Sequence, residues 1–474
     1  MTQLELGDMQ GLIARGYGDL KAACYLVLEI VDRGAARTWL RTLAPHVTPA
    51  RPKPDAEALH VAFTCEGLRQ LGVDEQALET FSREFWEGMG EPHRARHLLG
   101  DRDGSAPETW RWGGPTAHVL LLLFARDPDL VELLCDRVRG AYVGLRELQR
   151  LDTYPFDPPR EHFGFSDGIA QPIVEGLSRT GSPGNTIAPG EFILGYRNQY
   201  GKLPLSPVVA ADRDPGRILR RVRTEDGSEA GDLGRNGSYL VFRQRSQDVR
   251  AFWRFVDKAA RLSDGTSDRE GRVRMAAKMV GRWPSGAPLT LCPDRDDTSQ
   301  SRRDDFGYLA RDAHGHFCPM GAHIRRTNPR DSLEGSPEES LMISNRHRLL
   351  RRGRPYGAPI SLTLDVDEIL RAEEREGEVG LHFICLNADI ARQFEFVQHT
   401  WMNNAKFAGL YTDADPLMGH QEQSQGTFTL QGAPVRMRVN GMERFVEVRG
   451  GGYFFLPSLR ALQYLATGVR TGSE

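Results

Sequence analysis

The sequence lacks any long apolar run. The longest, Val119–Ala125, is far shorter than the roughly 20 apolar residues a membrane-spanning helix needs. It also lacks a CxxC pair and any zinc-ligand spacing. Its six cysteines, Cys24, Cys65, Cys135, Cys292, Cys318 and Cys385, lie far apart, which suits a reducing compartment where thiols pack as small apolar groups. The N-terminus, Met1-Thr-Gln-Leu-Glu-Leu-Gly-Asp, has acids where a secretory leader starts basic, and no twin arginine precedes an apolar run. The expected localisation is cytoplasmic, without a membrane partner. No excess of charge of one sign exists either: 61 basic and 64 acidic residues leave a net charge of -3, and no field of that size draws a chain to nucleic acid. The closing residues 467–474 contain no apolar docking segment.

What is present is a globular composition, 39% hydrophobic and 26% charged, on a chain long enough for two or three domains or one large duplicated unit. Ala22–Val31 is apolar except for Glu29 and reads as a strand buried on both faces, followed by helical spacing over 35–43. A second strand is expected at 60–64, helices at 65–71 and 74–85, another strand at 117–124 and a helix at 128–140. This β-α-β, then β-α rhythm is that of a ferredoxin-like α+β unit. It breaks into a long irregular stretch over 155–235, and such a stretch inside a folded chain is usually functional. The rhythm then restarts, with strands expected at 237–244, 360–364 and 379–387, helices at 248–261, 272–280 and 390–401, and an acidic insert at 365–378. Short strands at 427–430, 436–439, 445–449 and 453–456 and a helix at 459–467 complete the chain. The expected divisions are 1–155, 156–235 and 236–474.

Chemistry concentrates in three segments. Cys318-Pro-Met-Gly-Ala-His-Ile-Arg-Arg-Thr-Asn-Pro-Arg presents one imidazole, His323, behind a small Gly321-Ala322 pair and ahead of Arg325, Arg326, Asn328 and Arg330. A neutral histidine is the commonest metal ligand, small neighbours admit a flat cofactor, and guanidinium groups suit its carboxylates. His323 is therefore read as the proximal ligand of a haem iron. Gly164-Phe-Ser-Asp-Gly places the Asp167 carboxylate on a turn, where the bland alternative is an Asx-turn. Asn345–Gly357 carries five arginines, at 346, 348, 351, 352 and 354, without an acid; the bland alternative is a solvated basic face. An iron ligand, a carboxylate and a fixed positive charge form the set that cleaving a peroxide O–O bond requires. A hydrolase using Ser166 and His323 lacks the G-x-S-x-G elbow.

These segments, with Phe192-Ile-Leu-Gly-Tyr, Asn236-Gly-Ser-Tyr-Leu-Val-Phe-Arg, Lys278-Met-Val-Gly-Arg-Trp-Pro-Ser-Gly, Gly380-Leu-His-Phe and Arg392-Gln-Phe-Glu-Phe-Val-Gln, resemble in content and order the dye-decolorising peroxidase family. The resemblance implies two ferredoxin-like halves, dimeric α+β barrel-like, with haem b (iron protoporphyrin IX) held mainly by the C-terminal half. It implies a peroxidase that reduces hydrogen peroxide and oxidises a small aromatic, dye-like or phenolic donor through a ferryl intermediate. By position, Asp167 is the distal acid–base, Arg351 the charge that stabilises the cleaved peroxide, with Arg348 and Arg352 as rivals, and His323 the proximal ligand. Asp389, or else Glu395, would accept the other imidazole N–H. Leu381 and Phe383 would shape the peroxide pocket, Ile169 and Gln171 would cover the haem edge, and Arg326 and Arg330 would meet the propionates. The resemblance admits a homo-oligomer. The alternative reading is a haem-binding or haem-handling protein without turnover.

Overall fold

The computed structural model describes residues 3–177, 183–262, 264–372, 377–421 and 425–467. Its frame is one sheet to which both halves of the chain contribute. Strands β1 (Ala22–Ile30), β2 (Glu57–Phe63), β3 (Val119–Ala125) and β4 (Leu145–Asp152) lie in the spatial order β2-β3-β1-β4. Strands β5 (Ser238–Gln247), β6 (Leu350–Arg351), β7 (Arg354–Tyr356), β8 (Gly380–Asn387) and β9 (Val446–Leu456) follow, with β6 and β7 both paired to β8, and β8 leading through β5 to β9. Within each half the neighbours are antiparallel and the order is the second, third, first and fourth strand, the ferredoxin-like arrangement. The halves join where β9 meets β2, at Phe455 and Phe63. The class is therefore α+β, as the sequence led us to expect, but no ladder closes the sheet into a barrel among the described residues. Among the described residues its two ends are linked by single bonds, such as Tyr154 N–H donating to Pro355 O at 2.8 Å.

Each face of the sheet buries its own side chains because successive residues of a strand point to opposite sides. Leu26, Leu28, Leu121 and Leu123 pack under α1 (Arg33–Leu43) and α2 (Pro128–Gly140), whereas Tyr25, Val27, Leu120 and Leu122 pack against Leu12, Phe192 and Ile193 on the opposite face. Aspartates start these helices: Asp32 accepts the Ala35 N–H and Asp127 that of Leu130. A further layer, α3 (Val249–Ala259) and α4 (Arg269–Val280), packs Phe252, Trp253 and Met279 against Phe163, Cys318 and Phe428, and so supports the segment that carries His323.

Several expected elements differ. Strand β4 has no counterpart among the expected strands, because Leu-Arg-Glu-Leu-Gln-Arg-Leu-Asp lies at an edge where Arg146 pairs with Glu29 and Arg139 with Glu147. Residues 360–364 form no strand; the Ser361 hydroxyl accepts the Thr363 and Asp365 N–H groups and turns the chain into the helix Val366–Arg371. The helix expected over 74–85 is two short ones, Glu75–Leu78 and Arg83–Glu87, and that over 390–401 is π-helical in two stretches, Ala391–Glu395 and Val397–Met402. The two strands expected at 445–449 and 453–456 are one strand, β9. Gly450 and Gly451 do not break it: a Cβ would stand 2.5 Å from Trp112 Nε1 at the first and 2.8 Å from Phe242 O at the second, so these glycines permit close approach. Residues 373–376 of the acidic insert and the tail 468–474 lie outside the described residues.

Candidate active site

A cavity offering ≈ 220 Å³ to the centres of water molecules is lined by residues from the stretch 161–170 and by residues of the C-terminal half, His323, Asp167 and Arg351 among them. His323 opens the short helix α5 (His323–Thr327). α4 stops just beneath it at Gly281, whose φ of +100° and absent Cβ leave room for Ile324; a Cβ would lie 2.4 Å from Ile324 Cγ1.

The Nδ1 of His323 lies 2.9 Å from Oδ2 of Asp415. A carboxylate only accepts, so Nδ1–H donates and Nε2 is the nitrogen left for the cavity. Asp415 is fully buried, and its Oδ1 accepts the N–H groups of Leu417 and Met418 at 2.9 and 2.8 Å. Burial opposes its ionisation, but the imidazole, the Arg326 charge and the Met418 N–H outweigh burial and hold the carboxyl below its ordinary range. This arrangement corrects two expectations. Asp389 instead accepts the Arg392 N–H at 2.9 Å and pairs with that guanidinium, and Glu395 is paired with Arg94 at 2.5 Å and the Tyr453 hydroxyl at 2.7 Å. Neither meets His323. Asp415→Asn keeps the shape and removes the charge, and is expected to lower cofactor affinity or activity roughly ten- to hundredfold, measured by cofactor titration and steady-state rates.

Arg326 is corrected as well. It is fully buried, and it donates to the carbonyls of Gly321 (3.2 Å), Trp401 (2.7 Å), Asn404 (3.0 Å) and Asp413. It does not line the cavity; it pins the loop that carries Asp415. Gly321 and Ala322 likewise pack against protein, with Phe428 and Leu410 nearest the place of a Gly321 Cβ. Arg326→Met strips donors from buried carbonyls and is expected to cost about 3 kcal/mol of stability, read as a lower denaturant midpoint.

On the other side, β8 presents Leu381 and Phe383 to the cavity, because residues two apart share a face. Asp167 stands on a turn made by Gly168 at φ +77°, whose N–H donates to Asp167 Oδ1 at 2.6 Å. Its Oδ1 lies 3.7 Å from Nη2 of Arg351, and both side chains are half-exposed toward the cavity. Ile169 lines the cavity, and Gln171 Oε1 accepts the Arg351 N–H at 3.1 Å. Of the rival arginines, Arg352 turns away and donates to the carbonyls of Leu12 and Ile13 at 2.7 and 2.8 Å.

Arg348 does face the cavity, in a wall it shares with Arg282 and Arg330. Arg282 and Arg330 both grip Asp304, and Arg348 donates to Asn185 Oδ1 at 2.8 Å. Nε of Arg330 and Nη2 of Arg348 are buried with no hydrogen-bond partner. Burial pulls Arg282 down to about 10; burial and the Arg330 charge pull Arg348 to about 10. Positive charge in this wall exceeds the single Asp304 carboxylate, as a site for an anionic group requires.

No family profile matches the chain. The dye-decolorizing peroxidase msp1 of Mycetinis scorodonius is 30% identical over 436 residues, covering 86% of this chain and 76% of that one. The chain belongs to the dye-decolorising peroxidase family. Another relative, the dye-decolorizing peroxidase of Auricularia auricula-judae, is 27% identical over 488 residues, with 97% and 87% covered. A solved dye-decolorizing peroxidase in complex with 2,6-dimethoxyphenol superposes with a TM-score of 0.78 at 27% identity, covering 98% of this chain and all of that one. A deferrochelatase of Yersinia pseudotuberculosis is 29% identical over 184 residues, only 38% of this chain and 27% of its own.

As a dye-decolorising peroxidase the protein is an oxidoreductase that uses peroxide and acts on dyes, and the family depends on haem. The residues present fit that cofactor: an imidazole nitrogen free for iron, apolar walls from Val280, Phe383, Leu417 and Val446, and orphaned guanidinium atoms for carboxylates. Three contributors were absent from the sequence reading. Asp415 lies 92 residues from its histidine and has no local signal. Arg245 is buried with its guanidinium 4.2 Å over the Phe383 ring and pulled down to about 9 by burial, with Arg243 adding to the shift. Glu161 sits immediately before the Asp167 turn, where only its short spacing to Asp167 marks it.

Proposed function

We propose that this peroxidase holds haem b with His323 as the iron ligand, Asp415 fixing that imidazole, and Arg330 and Arg348 meeting the propionates. Bound there, the haem supplies a redox-active iron that passes the two oxidising equivalents of hydrogen peroxide to a small aromatic donor. Asp167 would take a proton from one peroxide oxygen and return it to the other as the O–O bond breaks. Arg351 attracts the negative charge that grows as the O–O bond breaks, and Leu381 and Phe383 exclude water from the same space. Ile169 and Gln171 keep the turn closed over the cavity, Gln171 by holding the Arg351 backbone.

The observation that carries this reading is the placement of Asp167 and Arg351, 3.7 Å apart, in a cavity that His323 also lines. Holding haem without turnover requires neither, so the haem-handling alternative leaves that pair unexplained. The haem-loaded protein, given hydrogen peroxide and 2,6-dimethoxyphenol, is expected to oxidise the donor in proportion to peroxide consumed. Arg351→Leu is expected to slow this by about 10²–10³-fold, as loss of one preorganised donor at a developing charge does. Haem uptake without donor oxidation in the wild type would favour haem handling.

A further inference from the structure

Glu161 occupies the wall between two cavities. It lines the main cavity with Asp167, and it also lines a second pocket with Arg160, His162, Gly164, Ile360 and Ser361. On the same measure that pocket offers ≈ 10 Å³, about one water molecule. The carboxyl is fixed by three donors: the N–H groups of Phe163 (2.8 Å) and Phe165 (3.0 Å), and Gln247 Nε2 (2.6 Å) from β5. In the second pocket, His162 Nε2 lies 2.8 Å from Tyr356 O, and its buried Nδ1 has no partner. Burial pushes the His162 imidazole down to about 4, so near neutrality it is uncharged and Nδ1 is an acceptor.

We propose that Glu161 relays protons from this second pocket to Asp167, and so supplies the protons that peroxide reduction consumes. The inference rests on the peroxidase reading above. The overall step is H2O2 + 2 H⁺ + 2 e⁻ → 2 H2O: the O–O bond breaks and two O–H bonds form. The electrons come from the aromatic donor, whose own protons leave where it is oxidised. Two protons must therefore enter the cavity for each peroxide, and Asp167 alone only passes on what it receives.

The charged and titratable groups that line the two pockets with Glu161 are Asp167 on its own loop, Arg160 and His162 beside it, Arg245 of β5, and Arg282, Arg330, Arg348, Arg351 and His323. Burial raises the Glu161 carboxyl to about 7, against its three hydrogen bonds, and the charge of Asp167 raises it further. It can thus be protonated and deprotonated in the neutral range.

The test uses haem-loaded wild type, Glu161→Gln and Gln247→Leu. Infrared spectra without peroxide read the carboxylic C=O signal against pH, and donor oxidation at saturating peroxide gives a pH profile. In the wild type a carboxyl is expected to lose its proton near pH 7, with the rate falling as it does. In Glu161→Gln, with haem absorption unchanged, both that signal and that step vanish. The rate below the step drops on the order of tenfold, less than loss of a group in direct contact with the reacting atoms would cause. Gln247→Leu removes a bond that favours the charged carboxyl and moves both midpoints upward. A rate step retained in Glu161→Gln, or unmoved in Gln247→Leu should the first variant not fold, overturns the relay. A wild type that oxidises no donor at any pH instead overturns the peroxidase reading, and the infrared titration still reports on Glu161.

Discussion

Asp167→Asn is expected to slow the reaction of the haem-loaded protein with hydrogen peroxide by about 10²–10⁴-fold. The asparagine side chain has nearly the shape of aspartate and can still accept the Gly168 N–H, so the turn persists. What it loses is the ability to take a proton and return it. Arg351 stays in place, since its backbone N–H is held by Gln171 and β6 remains paired with β8. Haem uptake is therefore expected to match the wild type, and the whole loss should appear in the peroxide-dependent step. Rapid mixing with peroxide in the absence of donor measures it. A loss below tenfold would mean that another base accepts the proton.

His323→Ala is expected to have the larger structural consequence for the cofactor. It removes the only imidazole among the described residues lining the cavity and leaves Asp415 fully buried without its partner. A buried carboxylate without its partner costs about 3–5 kcal/mol, so the loop at 413–418 should loosen and the denaturant midpoint should fall. Without the His323 nitrogen to hold its iron, bound haem should show a weakened and shifted Soret band. The double variant His323→Ala, Asp415→Asn separates the two effects: stability should return in part, because no uncompensated charge remains, while the altered spectrum should persist. A spectrum identical to the wild type in both variants would place the iron ligand elsewhere.

His323 and Asp167 stood out because each lies in a short segment whose composition suggested its chemistry, whereas Arg351 was singled out from five arginines, and Leu381 and Phe383 were named, only through the family resemblance; the fold brings all five to one cavity. Partners supplied by distant segments were not legible. Asp415 reaches His323 through a turn held by its own N–H donating to Met402 O and by Arg326 donating to Asp413 O, and nothing within a few residues of either group indicates it. The arginine-rich segment 345–357 shows the complementary difficulty. Five guanidinium groups look interchangeable along the chain, yet extended backbone sends Arg351 to the cavity while Arg352 and Arg354 meet carbonyls of the N-terminal segment, at Leu12, Ile13, Tyr17 and Lys21. Arg326 looked like a carboxylate partner for the same reason, and its burial made it a support for the loop. Strand β4 was missed because it lies at a half-exposed sheet edge, where hydrophobic period gives little signal.

The most direct measurement is a haem titration of wild type and His323→Ala followed by visible absorption, with one equivalent of hydrogen peroxide added at the end. The account predicts stoichiometric uptake by the wild type with a defined Soret band, a spectral change on adding peroxide that 2,6-dimethoxyphenol reverses, and a weakened, shifted band in the variant that responds to peroxide poorly. Failure of the wild type to take up haem, or equal spectra and equal peroxide responses in the two proteins, would contradict the assignment of the cavity beside His323 as the haem site.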